Sequence, residues 1–288
     1  MLIIIGFVVV LVAVIGGYAL PGGHLVVLFQ PFEFMIIFGA AIGAFITGNT
    51  KTILAGAGKS FGRMFKGPKH GRDAYVELLS LLYQMFKLAR SKGNLALEKH
   101  VEAPEESDVF TQYPKVMGDH HAMLFICDYL RLLTMGSDNP HELEALMDQD
   151  LETHHHEEHA VANALRNMAD GMPALGIVAA VLGVIHTMGS ITEPPEILGH
   201  LIGAALVGTF AGVLLSYGFV GPLSSALANI IDADGRFYIC IKAAILAHVA
   251  GHPPAIALEF ARKTLGTDVR PSFYELEQAF EDMSPAAT

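Results

Sequence analysis

Residues 173–191 read PALGIVAAVLGVIHTMGSI, and residues 199–223 read GHLIGAALVGTFAGVLLSYGFVGPL. Neither stretch contains Asp, Glu, Lys or Arg; each carries a single histidine, His186 and His200, towards one end. A hydrocarbon core about 30 Å thick needs about 20 helical residues at 1.5 Å each, so both stretches are long enough to cross a membrane. Two further runs lie near the N-terminus. Residues 2–20 (LIIIGFVVVLVAVIGGYAL) are uncharged, and so are residues 34–48 (FMIIFGAAIGAFITG), which reach spanning length by recruiting Pro31 to Thr50. The first run has no basic segment before it and nothing like A-x-A before Pro21, so it reads as a retained span rather than a cleaved signal. The expected class is therefore all-α: a polytopic membrane protein with four transmembrane helices, the last two extended into a helical cytoplasmic domain.

Composition agrees. Charged residues make up 16% of the 288 residues, against about 25% in soluble domains. A net charge of −11 disfavours nucleic acid as a partner, because phosphate binding needs a basic footprint. Cys127 and Cys240 are far apart and form no zinc-type spacing.

Basic residues set the orientation. Lys51, Lys59, Arg63, Lys66, Lys69 and Arg72 follow the second span, whereas 21–33 and 192–198 have no Lys or Arg. The positive-inside rule then places residues 51–172 and both termini in the cytoplasm and the two short loops outside. The organisation is 1–50, two spans; 51–172, a cytoplasmic helical domain; 173–223, two spans; and 224–288, a cytoplasmic helix and tail. Leu78, Leu82, Met85 and Ala89 mark one face of a helix that Gly93 ends. Asp119 to Thr134 is a second amphipathic stretch. Asn139-Pro140-His141-Glu142 starts a third helix, with no strong breaker before Gly171, so it runs into the third span. The fourth span continues through Pro222 to Val249, where His252-Pro253-Pro254 stops it. Pro271 to Thr288 reads as an acidic, loosely ordered tail.

Several residues stand out. Small residues four apart (Gly39 and Gly43; Ala204, Gly208 and Gly212) permit close helix packing in lipid. Because no carboxylate lies inside any of the four apolar runs, and Glu33 sits only at the outer mouth of the second, an ion-conducting role requires a titrating group from another polypeptide. Thr209 is the mid-membrane hydroxyl of the last two spans, with Ser216 nearer the inside; a threonine there either bonds back to its own helix or faces an ion. Pro173 and Pro222 lie at the cytoplasmic ends of their spans and act as static bends or as paired hinges. His186 reads as interfacial. Residues 154–159 (HHHEEH) lack the HExxH separation of zinc hydrolases and read as a polar helix face, so no metal is expected.

The motifs carry a resemblance over nearly the whole chain. GGY at Gly16, the Gln30-Pro31 pair, LARSKGNLALE at 88–98, YPKV at 113, DYLRLL at 128 and EALMD at 144 are part of it. So are the two span sequences from Pro173 and Val207, PPAIALEFARKTL at 253 and RPSFYELE at 270. The sequence resembles the MotA family of flagellar motor stator proteins. That resemblance implies a non-enzymatic subunit without cofactors, in a ring thought to be a pentamer around two copies of MotB. MotB would supply the intramembrane aspartate and the peptidoglycan anchor. It further implies that Pro173 and Pro222 couple protonation to movement, that Ala180 and Thr209 line the ion route, and that Arg90 and Glu98 engage charges on the rotor protein FliG. Protons are expected over sodium, since sodium wants several oxygen ligands and Ala180 occupies the centre of the third span. The competing reading is a ring of the ExbB/TolQ type that energises outer-membrane processes; those relatives match mainly the last two spans.

Overall fold

A computed structural model describes residues 2–281. Among them regular structure is helical, without strands. The longer helices in chain order are α1 (Leu2–Ala19), α2 (Pro31–Gly48), α3 (Lys51–Lys66), α4 (Arg72–Lys92), α5 (His120–Thr134), α6 (Pro140–Gly189), α7 (Pro195–Leu215), α8 (Gly221–Val249), α9 (Pro254–Lys263) and α10 (Phe273–Glu281). Four are long and apolar enough to cross a membrane: α1, α2 with the turn Leu25–Leu28 before it, α6, and the rod made by α7 and α8. The chain is a multi-pass membrane protein.

Local chemistry accounts for the boundaries. The Asn139 carboxamide oxygen accepts from the His141 N–H at 3.1 Å, and its nitrogen donates to Glu142 at 2.8 Å. From that cap α6 runs 50 residues with Pro173 inside it. Asp119 caps α5 by accepting from the Ala122 N–H at 3.3 Å. Gly93 ends α4 at φ +85°, a backbone conformation that only glycine adopts without strain.

The chain forms two compact units, Met1–Gly67 with Glu157–Ile230, and Pro68–His156 with Ile231–Thr288. The dividing points at 156/157 and 230/231 fall inside α6 and α8 rather than in loops.

The first unit contains the spans, and its core is thin. Ile37, Ala41, Met172, Ala179 and Ala211 are buried, with Phe34, Met168, Leu175 and Leu215 against them. α1 buries no residue, and it meets the rest through Phe7, whose ring lies 4.9 Å from that of Phe219. A helix that is apolar all round and yet unburied within its own chain fits a lipid or subunit environment. α3 sets Gly56 against Val161 and pairs Arg63 with Glu158, leaving Phe61 and Phe65 exposed.

The second unit is a soluble-type helical bundle. α4 contributes Leu78, Leu82, Met85 and Phe86, α5 contributes Ile126 and Leu130, α8 contributes Phe237, Ile241 and Ile245, and α9 contributes Leu258. The His70 ring stacks on Phe237 at 3.8 Å, and its Nε2 lies 3.2 Å from Asp119 Oδ2. Chiefly through His70, with Lys69 adding to it against the cost of burial, the Asp119 carboxyl is held well below the usual carboxylate range.

The tail expectation needs correction. Residues 273–281 are helical, and a Ser-x-x-Glu capping box explains why: the Ser272 hydroxyl accepts from the Glu275 N–H at 3.1 Å, and the Ser272 N–H donates back to Glu275 at 3.3 Å. Leu276 is buried, Phe280 stacks on Tyr83 at 4.3 Å, and Glu275 pairs with Arg72. The remainder of the expected tail, 282–288, lies outside the described residues.

Candidate functional site

The third and fourth spans meet along a glycine seam. A Cβ built on Gly176 would stand 2.7 Å from the Gly208 carbonyl oxygen and 3.0 Å from Gly212 Cα; one on Gly212 would stand 2.7 Å from the Met172 carbonyl oxygen. On Gly208 it would meet Ala179 Cβ at 3.0 Å and the Ala180 nitrogen at 3.1 Å, and on Gly183 it would meet Ala205 Cβ at 2.8 Å. These contacts are against backbone atoms or the Cβ of an alanine, the close approach that small residues permit in lipid. Gly39 and Gly43, with the same spacing in α2, have nothing within 4 Å. Spacing alone therefore did not separate the packed pair from the open one.

The seam fixes the antiparallel register: Gly212 faces Met172 and Gly176, and Gly208 faces Ala179 and Ala180. Further along, the Ser224 hydroxyl donates to the Ala162 carbonyl at 2.8 Å. Ala180 and Thr209 come out at one level of the pair, both half-buried. Thr187 and Thr47 bond back to their own helices, at 2.8 and 2.9 Å, whereas Thr209 makes no hydrogen bond among the described residues. Its hydroxyl is available to something outside the chain.

The two prolines are not brought opposite one another. Pro173 sits level with Gly212 and Pro222 near Ala164, a stagger of about nine residues, or ~14 Å at 1.5 Å each. Pro173 is half-buried inside continuous α-helix; Pro222 is exposed and follows a π-helical turn, Ser216–Val220. There the Gly221 N–H reaches back five residues to the Ser216 carbonyl, while the Ser216 N–H is shared between the Gly212 and Val213 carbonyls. Pro222 has no N–H to give to Gly218, and a wide turn moves that carbonyl away from the proline ring. Sequence reasoning located the proline and missed the turn.

Arg90 and Glu98 lie in the second unit, on either side of Gly93, and both are exposed. Neither makes an ion pair among the described residues. Between them Leu95 is 71% exposed, while Leu97, His100 and Val101 are buried and anchor the segment. His100 Nδ1 lies 2.8 Å from the Ser107 hydroxyl, which also accepts from the Val109 and Phe110 N–H groups at 3.2 Å. Burial, and after it nearby Lys99, lowers the His100 pKa, so the ring holds this loop in its neutral form. Beside Arg90 is a recess of about 230 Å³ that Asn94, Asp138, His248 and His252 also line. The surface is a shelf, anchored by those buried side chains, with a cation and an anion unpaired among the described residues on one short stretch of chain.

Two other polar features make contacts within the second unit. His154 packs its ring 5.1 Å from Tyr238, and His155 Nε2 lies 3.3 Å from Asp232, so this part of the histidine run is tied to α8 as well as solvated. A wider concavity of about 680 Å³ is lined by Lys69, Arg72 and Lys115, but these cations are already paired with Asp119, Glu275 and Asp73.

Comparison with known proteins bears on both surfaces. Residues 4–93 match the family model for the motility protein A N-terminal region, and residues 120–234 match that of the MotA/TolQ/ExbB proton channel family. The chain is 45% identical to motility protein A of Salmonella typhimurium and to that of Escherichia coli, each over 96% of this chain and 94% of the relative. Identity to chemotaxis protein LafT of Vibrio parahaemolyticus is 39%, over 95% of this chain and 96% of that one. A chain of the solved C. jejuni MotAB structure shares the fold with a TM-score of 0.75 at 22% identity, covering 93% of this chain and 97% of that one. One from the Bacillus subtilis flagellar MotAB stator complex does so with 0.70 at 23%, covering 89% and 92%.

Proposed function

We propose that this chain, which belongs to the motility protein A family, is a stator subunit of the bacterial flagellar motor. With MotB it forms a proton-conducting complex that turns the proton-motive force into torque on the rotor. The observation that carries this reading is a pair of close-packed spans bearing an unengaged hydroxyl, Thr209, opposite Ala180, with no carboxylate in the apolar middle of any span; Glu33 lies in the first turn of α2, at the outer mouth. Such a pathway is complete only when a partner helix brings the titrating acid. The solved relatives that share the fold are MotAB complexes, which supports MotB as that partner.

The chain sits in the inner membrane with both termini cytoplasmic, as a ring, five subunits around two MotB chains. Proton loading from outside neutralises the MotB aspartate, whose charged form is costly in lipid, and this changes which ring position it prefers. Release to the inside resets it. Each proton crossing about 100 mV supplies ~2.3 kcal/mol, so several act per rotor step. Pro173 and Pro222 convert the change at the Ala180–Thr209 level into movement of α6 and α8, and Arg90 and Glu98 deliver it to FliG. Protons are favoured over sodium because one hydroxyl and an alanine leave a sodium ion short of oxygen ligands. The match of residues 4–93 to the motility-specific N-terminal model weighs against a TolQ- or ExbB-like energiser.

Deletion of the gene tests the reading. Cells that keep normal filaments but stop rotating, and recover on re-expression, bear it out; unimpaired rotation refutes it for a strain with one stator set. In proteoliposomes, proton flux should require the MotB-type partner, and solute uptake by this chain alone would overturn the proposal.

A further inference from the structure

Ser216 is 1% exposed, and its hydroxyl makes no hydrogen bond among the described residues. A buried, unpaired hydroxyl is costly, so one that persists calls for a physical reason. Two neighbouring features supply it. Ser216 is the first residue of the π-helical turn: its own N–H still reaches the Gly212 and Val213 carbonyls, while its carbonyl takes the five-residue bond from Gly221. Across the seam, Pro173 cannot donate to the carbonyl four residues before it, so Ala169 is left with an acceptor that has no i+4 donor.

The register brings the two together. Gly212 faces Met172 and Gly176, and the Ser224 hydroxyl bonds the Ala162 carbonyl; interpolation between these points sets Ser216 at the level of Ala169 and Asp170. Ala169 is itself 2% exposed, on the same buried side of α6. An unused donor on one span thus stands at the level of a carbonyl on the other that lacks its i+4 donor, and in this structure they are not bonded.

We propose that Ser216 is a positioning residue of the coupling machinery: in the other state of the span pair its hydroxyl donates to the Ala169 carbonyl that Pro173 leaves free. The π-helical turn supplies the slack. Moving a wide turn along a helix rotates the residues it passes, so Ser216 reaches the carbonyl without unwinding α7. Pro173 and Pro222 then have distinct tasks despite their stagger. Pro173 creates the acceptor, and Pro222 keeps the turn on the opposite span from closing into regular helix. The inference rests on the stator reading.

The test is made in the complete motor, by recording torque per stator unit on a tethered bead while counting the units incorporated. Loss of one net hydrogen bond changes a two-state balance roughly fivefold, so Ser216→Ala should lose most of its torque per unit with normal incorporation and no loss of thermal stability. Ser216→Cys keeps the volume with a weak donor and should fall between. In a Pro173→Ala background the Ala169 carbonyl regains its own helical donor, so adding Ser216→Ala should cost nothing more. Wild-type torque per unit in Ser216→Ala overturns the proposal, as does full additivity with Pro173→Ala. Lowered incorporation or melting in proportion to torque assigns Ser216 to packing and also overturns it. A strain that still rotates after deletion of the whole chain marks failure of the stator reading instead.

Discussion

Replacing Gly212 by alanine is the sharpest probe of the seam. The added methyl would lie 2.7 Å from the Met172 carbonyl oxygen, 2.8 Å from Gly176 Cα and 3.1 Å from the Gly176 nitrogen. All three are backbone atoms, so no flexible side chain can swing away; α6 and α7 must separate by several tenths of an ångström along the whole contact. Over-packing of this kind costs about 1–3 kcal/mol, and the better helix propensity of alanine returns up to ~1 kcal/mol. Mid-range values net to a destabilisation of about 1.5 kcal/mol, or roughly 3–6 °C in melting temperature at ~2–4 °C per kcal/mol for a domain of this size. Gly58, mid-helix in α3 with nothing within 4 Å, is the matched control, and Gly58→Ala should melt at or above wild type. Differential scanning fluorimetry of the purified complex in nanodiscs reads both. Equal melting of the Gly212 and Gly58 variants would refute the seam as a backbone contact. Because the seam sets the level of Ala180 against Thr209, the Gly212 variant should also lose torque before it loses assembly.

Other outcomes follow from the same geometry. Pro173→Ala and Pro222→Ala should each assemble normally and cut torque, because each restores a helical hydrogen bond that movement requires to be absent; normal swimming by both would remove the hinge role. Arg90→Glu should weaken rotation by itself and be partly rescued by a charge reversal on the rotor, whereas absence of rescue by any rotor charge would leave Arg90 a solvated surface group. For His100, whose folded pKa is lowered, the unfolded chain binds more protons below its ordinary value of about 6.5. Its contribution to stability is therefore complete above that value and declines as pH falls through it. His100→Gln should flatten that part of the pH–stability curve measured by denaturant unfolding; an unchanged slope would show that the ring does not stay neutral.

What the sequence discloses depends on how local the cause is. Span existence and the helix starts at Asn139 and Asp119 follow from composition and caps within a few residues, and the structure has them where those signals are. The Ser272–Glu275 capping box is equally local, yet the acidic look of 271–288 hid it. Packing across helices is a different matter. Gly39 and Gly43 repeat the spacing of Gly208 and Gly212, but only the second pair meets another backbone, because burial depends on which neighbour the topology supplies. Arg90 and Glu98 were legible only through resemblance: as exposed charges they carry no local signature, and what sets them apart is the buried Leu97–His100–Val101 anchor beneath them.

The π-helical turn marks the deeper limit. A proline at 222 predicts a lost hydrogen bond, and two remedies are open to the chain: a kink within α-helical geometry, or one wide turn that relocates the clash. Residues 216–220 take the second remedy, whereas Pro173 stays inside continuous α-helix. The difference has an energetic consequence. Pro173 removes one donor at a fixed place, but a wide turn can migrate, since each step exchanges one backbone bond for another of similar strength. The fourth span is then the element of the pair better able to change its rotation at low cost. Substitutions that stiffen 216–220 should therefore impair coupling more than those that straighten Pro173, a ranking that torque per stator unit in Gly218→Ala and Pro173→Ala can reverse.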